Sequence, residues 1–241
     1  MVKLFIDPGH GGTDPGAVAN GLLEKYLTLA ISLKIRDLLR DYENVQVKMS
    51  RDDDRTVSLK QRTDMANAWG ADYLISVHIN AGGGQGYEDF IYTGASAASV
   101  ANQNVMHAEI IKPLGMTDRG KKRANYHMVR ESNMPALLTE NGFIDNANDA
   151  AKLKQEVFID KIAQGHVDGL VRVFGLKKKP GVKEEIQVTN NQPSTWAKES
   201  WEKAQKKKGK DGNSILDGTN PQGAVTREQF AVVLDRLGKL D

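Results

Sequence analysis

Val2-Lys-Leu-Phe-Ile-Asp-Pro-Gly-His-Gly-Gly-Thr-Asp-Pro-Gly16 opens the chain, and its reading decides the fold. Val2–Ile6 reads as a buried strand. The residues after it are rich in Gly, Pro and Asp, which turn the chain, and a turn-rich loop behind a buried strand is where α/β proteins usually carry function. Glu24 to Arg40 has Leu27, Ala30, Ile31 and Leu38 at helical spacing, which predicts an amphipathic helix with Glu24 in its first turn. Val45–Met49 reads as a strand, and Ser58-Leu-Lys-Gln61 is a capping-box pattern that opens a helix through Ala66 and Trp69. Tyr73–Ile79 is a β-rich run ending near His78, followed by a glycine turn at Gly82–Gly84 and another strand at Tyr87–Tyr92. A helix is expected from Ser96 to Lys112, stopped by Pro113. Pro135–Gly142 reads as a short buried strand with Glu140 near its end, and Asp149–Phe174 as one closing helix. Strands alternating with helices predict an α/β fold: a three-layer domain whose mostly parallel twisted sheet is flanked by helices.

Outward from that core, the 241 residues suffice for one sizeable domain and an accessory module. Hydrophobic residues make up 39% and charged residues 27%, an ordinary globular balance. With Lys+Arg 33 against Asp+Glu 31, the net charge of +2 gives no global field that would argue for nucleic acid. The absence of cysteine excludes a thiolate nucleophile and Cys-ligated metal, leaving His and carboxylates for metal chemistry. No apolar run approaches the ~20 residues that span a bilayer, so membrane insertion is not expected. The N-terminus shows neither the apolar segment nor the cleavage site of a signal peptide. Residues 176–193 have linker composition, which divides the chain into a domain at 1–175 and a small helical module at 194–241.

His10 and His78 each follow or end a predicted strand and Glu24 opens a helix, so all three can meet at one sheet edge. Two imidazoles and a carboxylate suit catalytic zinc with one position left for water, and Glu140, at another strand end, is the candidate proton carrier. The spacing matches no short zinc signature such as H-E-x-x-H, so residue types alone leave the ligand set open. Asn80 is a weaker candidate for orienting a ligand or binding substrate. His107, His127 and His166 read as surface or packing residues. Arg51, Arg62, Arg119 and Arg130 are either holders of substrate carboxylates or ordinary solvated and ion-paired side chains. The glycine loop at 9–16 lacks both GK[ST] and G-x-G-x-x-G, so its glycines shape a turn rather than cradle a nucleotide.

Asp7–Gly16, Leu23-Glu-Lys25, Ser50-Arg51, Leu59-Lys-Gln-Arg62, Ala66-Asn67, Ser76-Val-His-Ile-Asn80 and Pro135–Phe143, in order across nearly all of 1–175, resemble the family 3 N-acetylmuramoyl-L-alanine amidases. The resemblance is strongest to autolysins and phage endolysins of Bacillus-type bacteria. It implies Zn2+ on His10, Glu24 and His78, a catalytic Glu140, and hydrolysis of the amide between muramic acid and L-alanine in peptidoglycan. Together with the unseen leader it implies action at the bacterial cell wall after release from the cytoplasm, by phage lysis or mother-cell lysis. Trp196-Ala-Lys-Glu-Ser-Trp201, Asp217–Pro221 and Thr226–Phe230 resemble a single surface-layer-homology motif. Such a motif implies attachment to secondary cell-wall polymer, with the basic run Lys203–Lys210 adding attraction to anionic polymers. Two other readings compete. A non-catalytic wall-binding protein would be expected to lack Glu140 or a ligand residue. A hydrolase of the same fold would act on another amide or ester.

Overall fold

The computed structural model describes residues 1–181. Most of the stretch read as a linker, and all of the tail with its surface-layer-homology-like motif, lie outside the described residues.

A six-stranded sheet is built from β1 (Val2–Pro8), β4 (Val45–Met49), β5 (Tyr73–Asn80), β6 (Tyr87–Tyr92), β7 (Asp118–Ala124) and β8 (Ala136–Phe143), in the order β4-β1-β5-β8-β6-β7. β4, β1, β5 and β8 run parallel, β6 is antiparallel to β8, and β7 is parallel to β6. β2 (Val18–Ala19) and β3 (Leu22–Leu23) form a separate small hairpin. The chain steps from β1 to β4 on one side, then crosses to β5 on the other. The C-terminal ends of β1 and β5 therefore flank a switch point, the crevice where open α/β sheets take ligands.

Helices cover both faces. α1 (Glu24–Leu39) turns Leu27, Ile31, Ile35 and Leu39 into the larger core, beside Met106 and Ile110 of α3 (Ala97–Ile111) and Ile162, Ala163, Val167 and Leu170 of α6 (Glu156–Phe174). Each such aliphatic side chain contributes roughly 1.5–3 kcal/mol on burial. The opposite face packs Phe5, Leu74, Phe90 and Leu138 under α2 (Leu59–Trp69) and α4 (His127–Arg130), through Ala66, Met128 and Val129. The expected three-layer α/β domain with a mostly parallel sheet is the observed one. Among the described residues no helix is long and apolar enough to cross a membrane.

The capping box at Ser58 is present: its hydroxyl accepts from the Gln61 N–H while the Gln61 side chain accepts from the Ser58 N–H, and Gly70 closes the helix in the left-handed region. Three local expectations change. The closing helix is two helices, α5 (Ala147–Leu153) and α6, because Gln155 takes an extended backbone and restarts the helix, while Asn146 caps α5 through the Asn148 and Asp149 N–H groups. β7 was not anticipated: Asp-Arg-Gly-Lys-Lys-Arg-Ala offers no apolar alternation, and its charges suit an edge strand. α4 is a single turn without helical periodicity. Residues 176–181 run back beside the end of α1, with Glu43 donating to the Lys177 carbonyl at 2.8 Å and Lys179 to the Asp41 carbonyl at 2.8 Å.

Candidate active site and metal centre

The loop after β1 is held from beneath by buried charge. Asp7 is fully buried and accepts from Ser50 Oγ at 2.6 Å, Ser76 Oγ at 2.7 Å and Arg62 Nη1 at 2.8 Å. These donors outweigh the burial that would favour the neutral acid, and its carboxyl stays below the usual range. Arg62 also donates to the carbonyls of Pro8 and His10, at 2.5 and 2.6 Å. Arg51 donates to the carbonyls of Pro8, Gly9 and Lys25, at 3.1, 2.8 and 2.8 Å. Both arginines are buried, so they neither bind solvent nor reach a substrate carboxylate: they satisfy carbonyls that the loop turns inward. The sequence carried one faint signal of this, an aspartate continuing an apolar strand.

So fixed, the loop brings His10 to Glu24 and His78. His10 Nε2 and His78 Nδ1 lie 3.1 and 3.0 Å from the same oxygen, Glu24 Oε1, which also accepts from the Ile79 N–H at 3.0 Å. The imidazole planes stand at 84°, with centroids 4.9 Å apart. His10 sits at φ 60°, a left-handed conformation that costs a non-glycine residue energy and that often marks a functional site. Glycine is required around it. A Cβ on Gly9 would fall 2.3 Å from His78 Cε1, and one on Gly16 would fall 2.6 Å from Glu24 Oε2 and 2.7 Å from His10 Cδ2. Of the described residues, His10, Glu24 and His78 form the one group of three able to hold a metal ion, with one ligand atom from each within 4.8 Å of the others.

The donor set fits zinc. It offers two imidazoles and one carboxylate on an open sheet edge, and His10 Nδ1 lies 2.9 Å from Asp14 Oδ2, the outer carboxylate contact that orients a ligating imidazole. The same groups also set one another's charge. Burial disfavours ionised Glu24, but hydrogen bonds and charge from His10 and His78 outweigh it and hold the carboxyl far below its usual range. Burial likewise opposes charge on His10, and Glu24 with Asp14 reverses that, raising its pKa.

Glu140 occupies the next strand, in register with His78. Its Oε2 is buried without a hydrogen-bond partner among the described residues. Burial first, then the charges of Glu24 and Glu88, push its pKa well above the usual carboxylate range. With Glu24 and Glu88 both held below the usual range, Glu140 is the carboxyl of this cluster that takes up a proton most readily, which is what an acid–base group requires. Asn80 Nδ2 donates to Glu88 Oε1 at 2.8 Å, and Glu88 stands opposite Glu140 in the sheet. His107 and His166 are buried, the first between Asp89 and Asp118 and the second between Thr139 and the Ile162 carbonyl, whereas His127 lies beside Thr63 with Nε2 3.2 Å from its Oγ1. Arg130 is exposed and bound to Asn125 and Glu131. Arg119 pairs with Glu88.

The comparisons with known proteins agree with this geometry. The sequence profile of the family described as N-acetylmuramoyl-L-alanine amidase matches residues 4–172. The N-acetylmuramoyl-L-alanine amidase CwlM of Bacillus licheniformis is 57% identical over 189 residues, 78% of this chain and 75% of that protein. The endolysin of Bacillus phage SPP1 is 45% identical over 188 residues, 75% of this chain and 69% of that protein. The catalytic domain of CwlV, an N-acetylmuramoyl-L-alanine amidase from Bacillus (Paenibacillus) polymyxa var. colistinus, superposes with a TM-score of 0.70 at 37% identity, covering 73% of this chain and all of that domain. The chain belongs to family 3 of the N-acetylmuramoyl-L-alanine amidases.

Proposed function

We propose that this chain hydrolyses the amide between the muramic acid lactyl group and L-alanine in bacterial peptidoglycan, with zinc on His10, Glu24 and His78 and with Glu140 as general base and acid. The observation that carries the reading is the meeting of two imidazoles and a carboxylate beside a buried glutamate that has one oxygen unpartnered. When bound, zinc supplies Lewis-acid polarisation of an amide carbonyl and acidifies water at neutral pH. Glu140 Oε2 takes the proton of the attacking water and hands it to the leaving alanine nitrogen, so that nitrogen departs as a neutral amine. Asp14 fixes the His10 ring, and the buried Arg51 and Arg62 keep the loop carbonyls away from the reacting groups. No Ser or Cys nucleophile is needed.

Residues 1–175 carry the catalytic unit in this reading, and 194–241 attach it to secondary cell-wall polymer across the linker at 176–193. Mass spectrometry of purified peptidoglycan digested by the full chain, with and without chelator, tests the activity. Stem peptides with free L-alanine amino ends, lost on chelation and restored by zinc, are expected. An uncut wall with zinc still bound to the protein would leave a binding module, and a cut at another bond would leave the family's fold with a different specificity. Co-sedimentation with walls before and after removal of secondary polymer tests the tail, and equal binding to both removes its assigned role.

A further inference from the structure

The sheet edge beyond Glu140 carries a second charged cluster that the hydrolysis itself does not use. In the antiparallel register Glu88 of β6 stands opposite Glu140 of β8, so both side chains lie on one face. Glu88 is almost fully buried, with its side chain 6% exposed, yet two cations from β7 converge on its Oε2. Arg119 donates through Nε at 2.7 Å, and Lys122 donates through Nζ. His78, Glu140, Glu88 and Arg119 thus line up across four neighbouring strands, β5, β8, β6 and β7. Arg119 and Lys122 are a third open to solvent, at 34% and 37%. One carboxylate facing two cations leaves a surplus of one positive charge. Among the described residues Arg119 bonds through Nε alone, and neither terminal nitrogen of its fork has a partner there. The guanidinium carbon lies 4.8 Å from the centre of the Phe143 ring, and exposed Tyr126 leans on Phe90, with ring centroids 5.2 Å apart.

We propose that Arg119 and Lys122 form a specificity subsite that reads a carboxylate of the peptidoglycan stem peptide, a proposal that rests on the amidase reading above. In intact peptidoglycan the lactyl carboxyl of muramic acid is consumed in the amide, so free carboxylates reside in the stem peptide. Two strand spacings separate Glu140 from Arg119, about 10 Å, which is the reach of about three extended residues. The recognised carboxylate therefore lies two or three residues beyond the scissile bond. An unpaired guanidinium fork receives it with two parallel hydrogen bonds, Lys122 adds charge, and Glu88 holds both cations in place.

The test uses the zinc-loaded full chain and soluble glycan fragments bearing stem peptides, either with free carboxylates or with the same groups converted to carboxamides. The wild type is expected to favour the carboxylate form in kcat/KM by about tenfold or more, the scale of a charge-assisted hydrogen bond. Arg119→Gln, which leaves Lys122 to pair Glu88, is expected to bring that ratio toward one mainly through KM, and Arg119→Lys is expected to recover part of it. Equal cleavage of both substrates by the wild type overturns this inference alone. So does an Arg119→Gln enzyme that is weaker on both forms with the ratio unchanged, since that is what a purely structural role would give. Failure of the wild type to cut either form at the muramoyl–alanine amide overturns the amidase reading itself.

Discussion

Two histidine–carboxylate clusters occur in this domain, built from the same residue types to opposite ends. At the open end of β1 and β5, two imidazoles face one carboxylate oxygen, Glu24 Oε1. Between α3 and the β6–β7 edge, one imidazole faces two carboxylates: His107 Nδ1 lies 2.8 Å from Asp89 Oδ2 and Nε2 lies 3.0 Å from Asp118 Oδ1. Both ring nitrogens of His107 meet acceptors only, so both carry protons. Its pKa is raised because Asp89 and Asp118 outweigh the burial that opposes its charge. Gln103 and Tyr87 donate the remaining bonds to Asp89, at 2.8 and 3.0 Å. The first cluster crowds two imidazoles onto one carboxylate oxygen and lies beside Glu140, whose buried Oε2 has no hydrogen-bond partner among the described residues. The second is complete within the protein. Histidine near carboxylate is thus no signature of a site; what separates the two is whether the protein itself satisfies every polar atom.

The largest expected effect breaks the first cluster's chemistry without disturbing its ligands. Glu140→Gln should lower amidase turnover by about 10³-fold, within the usual worth of a general base, while zinc content by elemental analysis stays at one per chain. A variant that kept most of its turnover would remove Glu140 from the reaction. Ligand substitutions come next. Glu24→Gln or His10→Ala should lose bound zinc and activity together, whereas His107→Ala should keep its zinc, and zinc loss from the latter would erase the distinction between the clusters. Instead, His107→Ala should cost stability, about 3 kcal/mol by chemical unfolding, because buried Asp89 loses its cation.

pH sharpens the comparison further. A histidine whose folded pKa is raised stabilises fully below its unfolded value of about 6.5, and that contribution disappears as pH rises through the folded pKa. Stability should therefore fall on the alkaline side in the wild type, and the fall should flatten in His107→Ala. His166 runs the other way. Wholly buried in α6, its Nδ1 donates to the Ile162 carbonyl at 2.8 Å and its Nε2 accepts from Thr139 Oγ1 at 3.1 Å, and burial lowers its pKa to about 4. The unfolded chain protonates first, so this residue withdraws roughly 3 kcal/mol as pH falls from about 6.5 to 4. An unfolding series that showed no acid-side loss attributable to His166, compared with His166→Gln, would contradict its neutral burial. The smallest effect lies at the capping box. Ser58→Ala should cost about 1 kcal/mol by loosening α2, which carries Arg62, and should leave zinc content as it was.

Much of the fold was legible because it rests on local patterns. Apolar runs at Val2–Ile6 and Tyr73–Ile79, helical spacing from Glu24 and the capping box at Ser58 are short-range signals, and each appears where it was read. The break at Lys154–Gln155 and the edge strand Asp118–Ala124 were not legible. A two-residue interruption barely alters helical periodicity, and a charged strand takes its conformation from the partner it pairs with rather than from its own pattern. The burial of Arg51 and Arg62 is not legible for a related reason, since exposure is not a local property, although the pairing of Arg62 with Asp7 is one of the readings the sequence offers.

By itself, then, the sequence determined which elements form and supplied the glycines without which His10 and His78 would have no room. It also carried the motifs that mark the family. The tertiary structure decided which charged residues meet. Convergence of His10, Glu24 and His78, separated by up to 68 positions along the chain (78 − 10), depends on sheet order and on two arginines that pull loop carbonyls inward. The same is true of the row from His78 to Arg119, which exists only because β8 inserts between β5 and β6. Charge placement is a long-range property, set by strand register and burial, and a linear sequence encodes it only through the fold it produces.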